Sequence, residues 1–255
     1  MKKQPAIFLC GHGGRDPETL AEFIAFVDRL RARNPAAAVG YGFLEFAEPT
    51  LAAGLFRLHA EGAQEILALP VTLFEGGHSL ADIPNALRAF GQAHPALRLR
   101  YGRAFGVEEK LLRLLADRVR AAEAEAKTKA GERENAFLLV VARGAREEGA
   151  ARDAATIAGR LKAELGFGET LAAFSGLARP TLKEGLERAR RSGAPRVVVV
   201  PYFLFTGKLV KQLRAEVEAV AAANGDVEWL LASHLFGHPL LEEAACDRIA
   251  EIANA

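Results

Sequence analysis

The chain repeats itself once, and this limits its fold more than any other feature of the sequence. A shift of 131 residues carries Gly13 onto Gly144, Arg15 onto Arg146, Pro49-Thr50-Leu51 onto Pro180-Thr181-Leu182, Gly54-Leu55 onto Gly185-Leu186 and Phe105-Gly106 onto Phe236-Gly237. Identities at one constant offset over nearly half a chain indicate two copies of one domain. The copies meet near residues 127–135, a polar and charged stretch with a glycine, as a linker requires. The expected division is 1–127 and 128–255.

Each copy alternates short apolar runs with amphipathic stretches. Strand-like runs lie at 6–10, 39–44, 65–71 and 97–103, then at 136–141, 171–175, 196–203 and 227–232. In the first copy, helical patterns fall between them at about 17–33, 50–61, 79–93 and 107–126. The run Arg196-Val197-Val198-Val199-Val200-Pro201 is apolar without alternation, the mark of a strand covered on both faces. Strands of this kind, alternating with helices, predict a parallel sheet flanked by helices. The expected fold is α/β: two tandem flavodoxin-like domains of about four parallel strands each.

Charge and cysteine content narrow the partners. With 33 Lys plus Arg against 32 Asp plus Glu the formal net charge is +1, so no global field is available to hold nucleic acid or an anionic membrane. Cys10 and Cys246 are too few and too far apart for a disulfide framework or a zinc ribbon, and they fit a reducing compartment. The apolar run before Gly11 is too short for a signal segment or a membrane span. A cytoplasmic protein is expected.

In open α/β sheets ligands bind beyond the carboxyl ends of the strands. After the first strand stands Gly11-His12-Gly13-Gly14-Arg15-Asp16-Pro17, a glycine-rich turn with a histidine and a helix-capping Asp-Pro pair. After the second, Glu45 falls among apolar neighbours, a position that suits a ligand or base, whereas Glu48 before Pro49 suits a helix start. After the third, Phe74-Glu75-Gly76-Gly77-His78 brings another histidine behind a Gly-Gly pair. If strands one and three are neighbours, His12 and His78 share one cleft. Two imidazoles and a carboxylate make a donor set for a borderline divalent ion such as Co, Ni, Fe or Zn. His59 and His94 read as surface residues, and His234 and His238 have no chelating spacing.

The second copy keeps the glycine and proline scaffold and loses these donors. Arg143 stands for His12 and Gly176 for Glu45, while His78 meets Leu209, or Lys208 if one residue is deleted after Gly207. One active site per chain is expected.

Leu9-Cys10-Gly11-His12-Gly13-Gly14-Arg15-Asp16, Gly42-Phe43-Leu44-Glu45-Phe46-Ala47-Glu48-Pro49-Thr50-Leu51 and Gly77-His78 with Asp82-Ile83-Pro84 together resemble the CbiX/SirB class II chelatases, the sirohydrochlorin cobaltochelatases and ferrochelatases. Pro201-Tyr202-Phe203-Leu204-Phe205-Thr206-Gly207 resembles the second half of the long form. Two departures stand out: His-Gly-Gly replaces the more usual His-Gly-Ser, and Ser79-Leu80-Ala81 is less polar than usual. The resemblance implies that His12 and His78 bind the metal and take protons from the macrocycle, with Glu45 as acidic helper. It implies a sirohydrochlorin-type tetrapyrrole and a divalent metal, Co2+ first and Fe2+ or Ni2+ as alternatives, as substrates, with no permanently bound cofactor. The expected tetrapyrrole contacts are Gly13, Gly14, Arg15, Phe74 and Gly77, joined by Arg143, Arg146 and Lys208 as cations for its carboxylates. Short relatives are expected to pair identical subunits, so a chain with both halves is expected to act as a monomer. A non-catalytic metal or tetrapyrrole carrier is the competing class. A two-lobe periplasmic binding protein is disfavoured by the missing signal segment and the one-sided loss of histidines.

Overall fold

All six residues of β1 (Ala6–Gly11) are buried, which requires cover on both faces of the sheet. β1 lies inside a parallel sheet ordered β2-β1-β3-β4, with β2 at Val39–Phe43, β3 at Glu65–Pro70 and β4 at Arg98–Tyr101. The second repeat builds the same sheet, β6-β5-β7-β8, from β5 (Phe137–Ala142), β6 (Glu169–Phe174), β7 (Arg196–Tyr202) and β8 (Glu228–Leu231). This is the doubly wound parallel architecture that the sequence predicts. The computed structural model describes residues 4–127, 130–144, 148–176 and 178–255, with the backbone alone at 78, 130, 131 and 148.

Helix α1 (Pro17–Arg33) starts where Asp16 accepts the Glu18 N–H at 3.0 Å, with proline in the first turn. α2 (Leu51–Ala60) is capped by Thr50, and α6 (Leu182–Arg191) by the matching Thr181 in a capping box with Glu184. In the first unit α2 and α3 (Ile83–Ala93) bury Leu51, Leu55, Ile83 and Leu87 against Phe8, Ile66 and Ala68. In the second, Leu182 and Leu186 of α6 and Leu213 of α7 (Lys208–Ala223) pack with Leu139, Val197 and Val199. Burying such side chains stabilises each core by roughly 1.5–3 kcal/mol apiece.

The repeats and the compact units divide the chain differently. The units are Met1–Gly106 with Glu242–Ala255, and Val107–Leu241, not 1–127 and 128–255. α4 (Glu109–Glu125), which follows β4 in sequence, packs on β7, β8 and α5 (Glu148–Leu165) of the second unit. α8 (Pro239–Asn254) lies almost wholly in the first unit. There Arg248 donates to Phe105 O at 2.6 Å, Arg100 donates to Ala253 O at 3.0 Å, and Ile252 fills the space beside Gly102. The final helices are exchanged. Periodicity shows that a helix has an apolar face and leaves open which sheet that face meets.

The linker ends in a short 3-10 helix (Ala130–Asn135), and the buried Glu123 accepts the Arg133 Nε–H at 2.9 Å. A second departure concerns the helical pattern predicted over 79–93. It opens as a π turn (His78–Asp82) before α3, whereas α7 starts directly after Gly207. π turns arise from one extra residue in a helix. Beyond this point the structural match is therefore one residue shorter than the sequence shift. Glu65 pairs with Arg98 where Arg196 pairs with Glu228, and the caps of α3 and α7 are His94 and Asn224. Phe105, whose N–H meets Thr72 O, thus corresponds to Leu235, whose N–H meets Phe203 O.

Candidate functional site

The loops after β1 and β2 in the first unit are joined by two backbone hydrogen bonds beyond the last paired residues, Gly11 and Phe43. The Leu44 N–H donates to Gly11 O at 2.9 Å and the Glu45 N–H to His12 O at 3.0 Å. Gly13 (φ +92°) makes this approach possible, because a Cβ there would lie 1.8 Å from Glu45 O. The result is a side-chain pair: His12 Nε2 stands 3.4 Å from Glu45 Oε1, with the imidazole 24% and the carboxylate 40% exposed.

The other imidazole nitrogen, Nδ1, lies 3.2 Å from Gly13 O, and a carbonyl can only accept. With the hydrogen on Nδ1 the carbonyl is satisfied, and Nε2 is the ring atom that faces Glu45. At this separation Nε2 and Oε1 are bridged either by a proton on Nε2 or by a cation bound to both. With bonds of about 2.1 Å, the edge of a tetrahedral coordination shell is roughly 3.4 Å. An N–H to backbone carbonyl bond behind the ligating nitrogen is also the usual support of a metal-binding histidine.

Phe46 is the residue that sequence reasoning missed. Its backbone is left-handed (φ +61°) and the residue is 55% exposed. The His12 ring lies at 6.4 Å and 23° from it, and the Arg15 guanidinium sits 4.9 Å from its centroid. Arg15, Phe46 and His12 thus form one contiguous group, with the guanidinium over the Phe46 ring and the imidazole nearly parallel to it. A lone aromatic between Glu45 and Ala47 gives no periodicity signal, and an unfavourable φ leaves no trace in sequence.

β3 is the other neighbour of β1, as expected for the strand carrying His78. The Gly76 N–H donates to Ser79 Oγ at 3.0 Å, the Leu80 N–H to Gly76 O at 2.8 Å, and Tyr101 Oη donates to Ser79 O at 2.8 Å. These bonds fix the backbone on which His78 opens the π turn; its side chain is outside the described ones. Burial, then the nearby Cys10 and Glu75, push the Tyr101 hydroxyl above its ordinary range, so it stays a donor. Burial likewise pushes up the Cys10 thiol, which makes it a core residue. Phe74 is half-buried, Gly77 exposed, and Gly14 has open space where a Cβ would be. Among the described residues no three His, Cys, Asp or Glu side chains gather around one point.

Of the second-unit cations, Arg143 is exposed just after β5 and Lys208 is exposed at the first position of α7; Arg146 lies outside the described residues. A Cβ on Gly176 would lie 2.4 Å from Arg143 O, so the position equivalent to Glu45 has lost both its carboxylate and its space. His59 and His94 are not free surface residues. Their rings meet edge to face at 4.9 Å, and His94 stacks on Phe90 at 4.1 Å. His238 faces Asp117 at 3.5 Å. No helix among the described residues is long and apolar enough to cross a membrane.

The chain is 32% identical over 247 residues to a sirohydrochlorin cobaltochelatase of Priestia megaterium, covering 96% of this chain and 79% of that one. It is 31% identical over 232 residues to a sirohydrochlorin ferrochelatase of the same organism, covering 91% and 84%. Among solved structures, SirB from Bacillus subtilis with Fe3+ superposes with a TM-score of 0.86 at 28% identity, covering 98% of this chain and 96% of that one. The CbiX family model matches twice, over residues 6–122 and 137–252, once for each repeat read in the sequence, and the chain belongs to the CbiX family.

Proposed function

We propose that the protein is a sirohydrochlorin chelatase that inserts one divalent metal ion into the tetrapyrrole, releasing two pyrrole protons. The observation that carries this reading is the His12–Glu45 pair: an imidazole nitrogen and a carboxylate oxygen 3.4 Å apart, with the other ring nitrogen 3.2 Å from a backbone carbonyl. Two protein donors leave the remaining coordination positions of an ion open. That suits an ion to be passed on as substrate, and no permanent cofactor is assigned. Relatives of similar identity named for cobalt and for iron insertion support the same reaction class.

His12 and Glu45 hold and desolvate the ion. An imidazole cannot ligate and accept a proton on one nitrogen at once, so proton removal falls to His78 at the start of the π turn. The Phe46 face receives the flat macrocycle, with Gly13, Gly14, Phe74 and Gly77 around it. Arg15 pairs with one of its carboxylates, and Arg143, Arg146 and Lys208 are assigned to others. The ion is taken as Co2+, for cobalamin synthesis. Fe2+, for siroheme, is the second reading, favoured by the ferrochelatase relative, and nitrogen and oxygen donors accept either. The protein is assigned to the cytoplasm as a monomer.

The test is insertion followed by absorbance with Co2+, Fe2+ and Ni2+ side by side, for the natural protein and for His12→Ala and His78→Ala. Insertion above the spontaneous rate, greatest with Co2+ and lost in both variants while the fold is kept, is expected. Binding without acceleration would make the protein a carrier. Insertion at the natural rate by either variant at saturating metal would remove that histidine from the mechanism.

A further inference from the structure

Arg118 and Arg248 occupy the same place in the two units. Counted from the helix starts Glu109 and Pro239, they are equivalent, and each binds the backbone that follows the last strand. Arg248 donates to Phe105 O at 2.6 Å; Arg118 donates to Phe236 O at 2.7 Å and to Leu235 O at 3.5 Å. Their counter-charges differ. Arg248 Nη1 meets Glu251 Oε1 at 2.5 Å, three residues on, and Glu251 also takes Arg103 at 3.2 Å. In the second unit these acidic and basic positions hold Ala121 and Ser233.

Arg118 has no carboxylate partner among the described residues; its Nε, like that of Arg248, is buried without an acceptor, so the difference between the two lies in the missing carboxylate. The adjacent Asp117 is engaged by Arg120 at 2.9 Å and by His238 at 3.5 Å. A guanidinium cannot shed its proton to escape desolvation, so a partly buried one held only by backbone carbonyls favours an anion beside it. Burial does act on this group, pushing its pKa down. Arg118 lines a cavity of about 310 Å3 within the second unit, together with Arg214, Ser233 and His234. Arg214 is exposed, and its carboxylate neighbour, Glu218, lies 4.0 Å away. The cavity is at the small end of ligand sites, too small for much beyond a simple organic acid.

We propose that this cavity binds a small carboxylate, which supplies to Arg118 the counter-charge that Glu251 supplies to Arg248. It is distinct from the Arg143 and Lys208 positions. Either a free organic acid or one carboxylate arm of a larger ligand offers the required chemistry. The full chain, without metal or macrocycle, is titrated calorimetrically with malonate and with its neutral diamide at constant ionic strength. Malonate is expected to saturate one site and the diamide not to bind. Ala121→Glu, which restores the carboxylate within the chain, and Arg214→Gln are each expected to weaken malonate at least 10-fold, and His12→Ala to leave it unchanged. Should Ala121→Glu not fold, Arg214→Gln, on an exposed position, gives the answer. Absence of saturable binding up to roughly 20 mM, well past a millimolar Kd, overturns the site, as does binding that survives both substitutions. Malonate that competes with sirohydrochlorin assigns the site to a carboxylate arm, and malonate that does not assigns it to a free acid. The calorimetric readout needs no turnover, so it stands apart from the insertion reaction.

Discussion

Gly13→Ala tests whether backbone geometry creates the His12–Glu45 pair. At φ +92° an L-residue costs about 1–2 kcal/mol. A methyl 1.8 Å from Glu45 O cannot be accommodated unless the two loops part, and overpacking of this kind costs about 1–3 kcal/mol more. The total, about 2–5 kcal/mol, corresponds to a fall in Tm of roughly 4–20 °C for a chain of this size. Parting the loops breaks the bond from the Glu45 N–H to His12 O and moves the carboxylate off its 3.4 Å station. A displacement near 1 Å lowers insertion about 100-fold. Gly14→Ala is the control, since nothing lies within 4 Å of its Cβ and its φ is not positive. Thermal melts and initial insertion rates for the two variants decide the matter. A Gly13→Ala protein with natural Tm and rate, or a Gly14→Ala protein as damaged as Gly13→Ala, would refute the reasoning.

Three further outcomes are expected. Phe46→Ala removes the flat face beside His12 and should raise KM for sirohydrochlorin about 2- to 13-fold, the value of a stacking contact of about 0.5–1.5 kcal/mol, with little change in metal dependence. Arg143→Ala should raise the same KM about 5- to 150-fold, as loss of a carboxylate contact of about 1–3 kcal/mol requires; an unaltered KM with weakened Co2+ affinity would contradict it. Tyr101 should resist ionisation beyond the ordinary tyrosine value near 10 in an ultraviolet titration. Because its folded pKa is raised, its stabilising contribution is complete below that value and is lost as pH climbs through the raised one, and Tyr101→Phe should remove this part of the pH dependence.

The legible parts of the molecule were those written in local pattern. Covered strands, alternating helices and glycine-rich strand ends put His12 and Glu45 at the carboxyl ends of strands; that the two strands are neighbours, so that the side chains meet, comes from the sheet order. What stayed hidden depends on non-local or dihedral facts. Phe46 meets His12 and Arg15 with a positive φ that no local pattern announces, and His59 and His94 are half-buried through a contact between their rings. The repeat itself misled at one point. The identity of Phe105-Gly106 with Phe236-Gly237 suggests an unbroken shift, yet the extra residue of the π turn has already changed the register. Only after that correction does Ala121 stand opposite Glu251.

The exchange of α4 and α8 bears on the order in which the protein is made. Residues 1–106 are synthesised first, with the His12 and Glu45 loops among them, but the helix that closes their unit is synthesised after the whole of the other one. Until residues 242–255 have emerged, the carbonyl of Phe105 lacks Arg248, Gly102 lacks Ile252, and Asn34 lacks its contact with Cys246. The unit begun first is finished last. A nascent chain therefore cannot present a completed first unit ahead of its partner, and a gene cut between the two repeats would encode two pieces that each carry the other's closing helix.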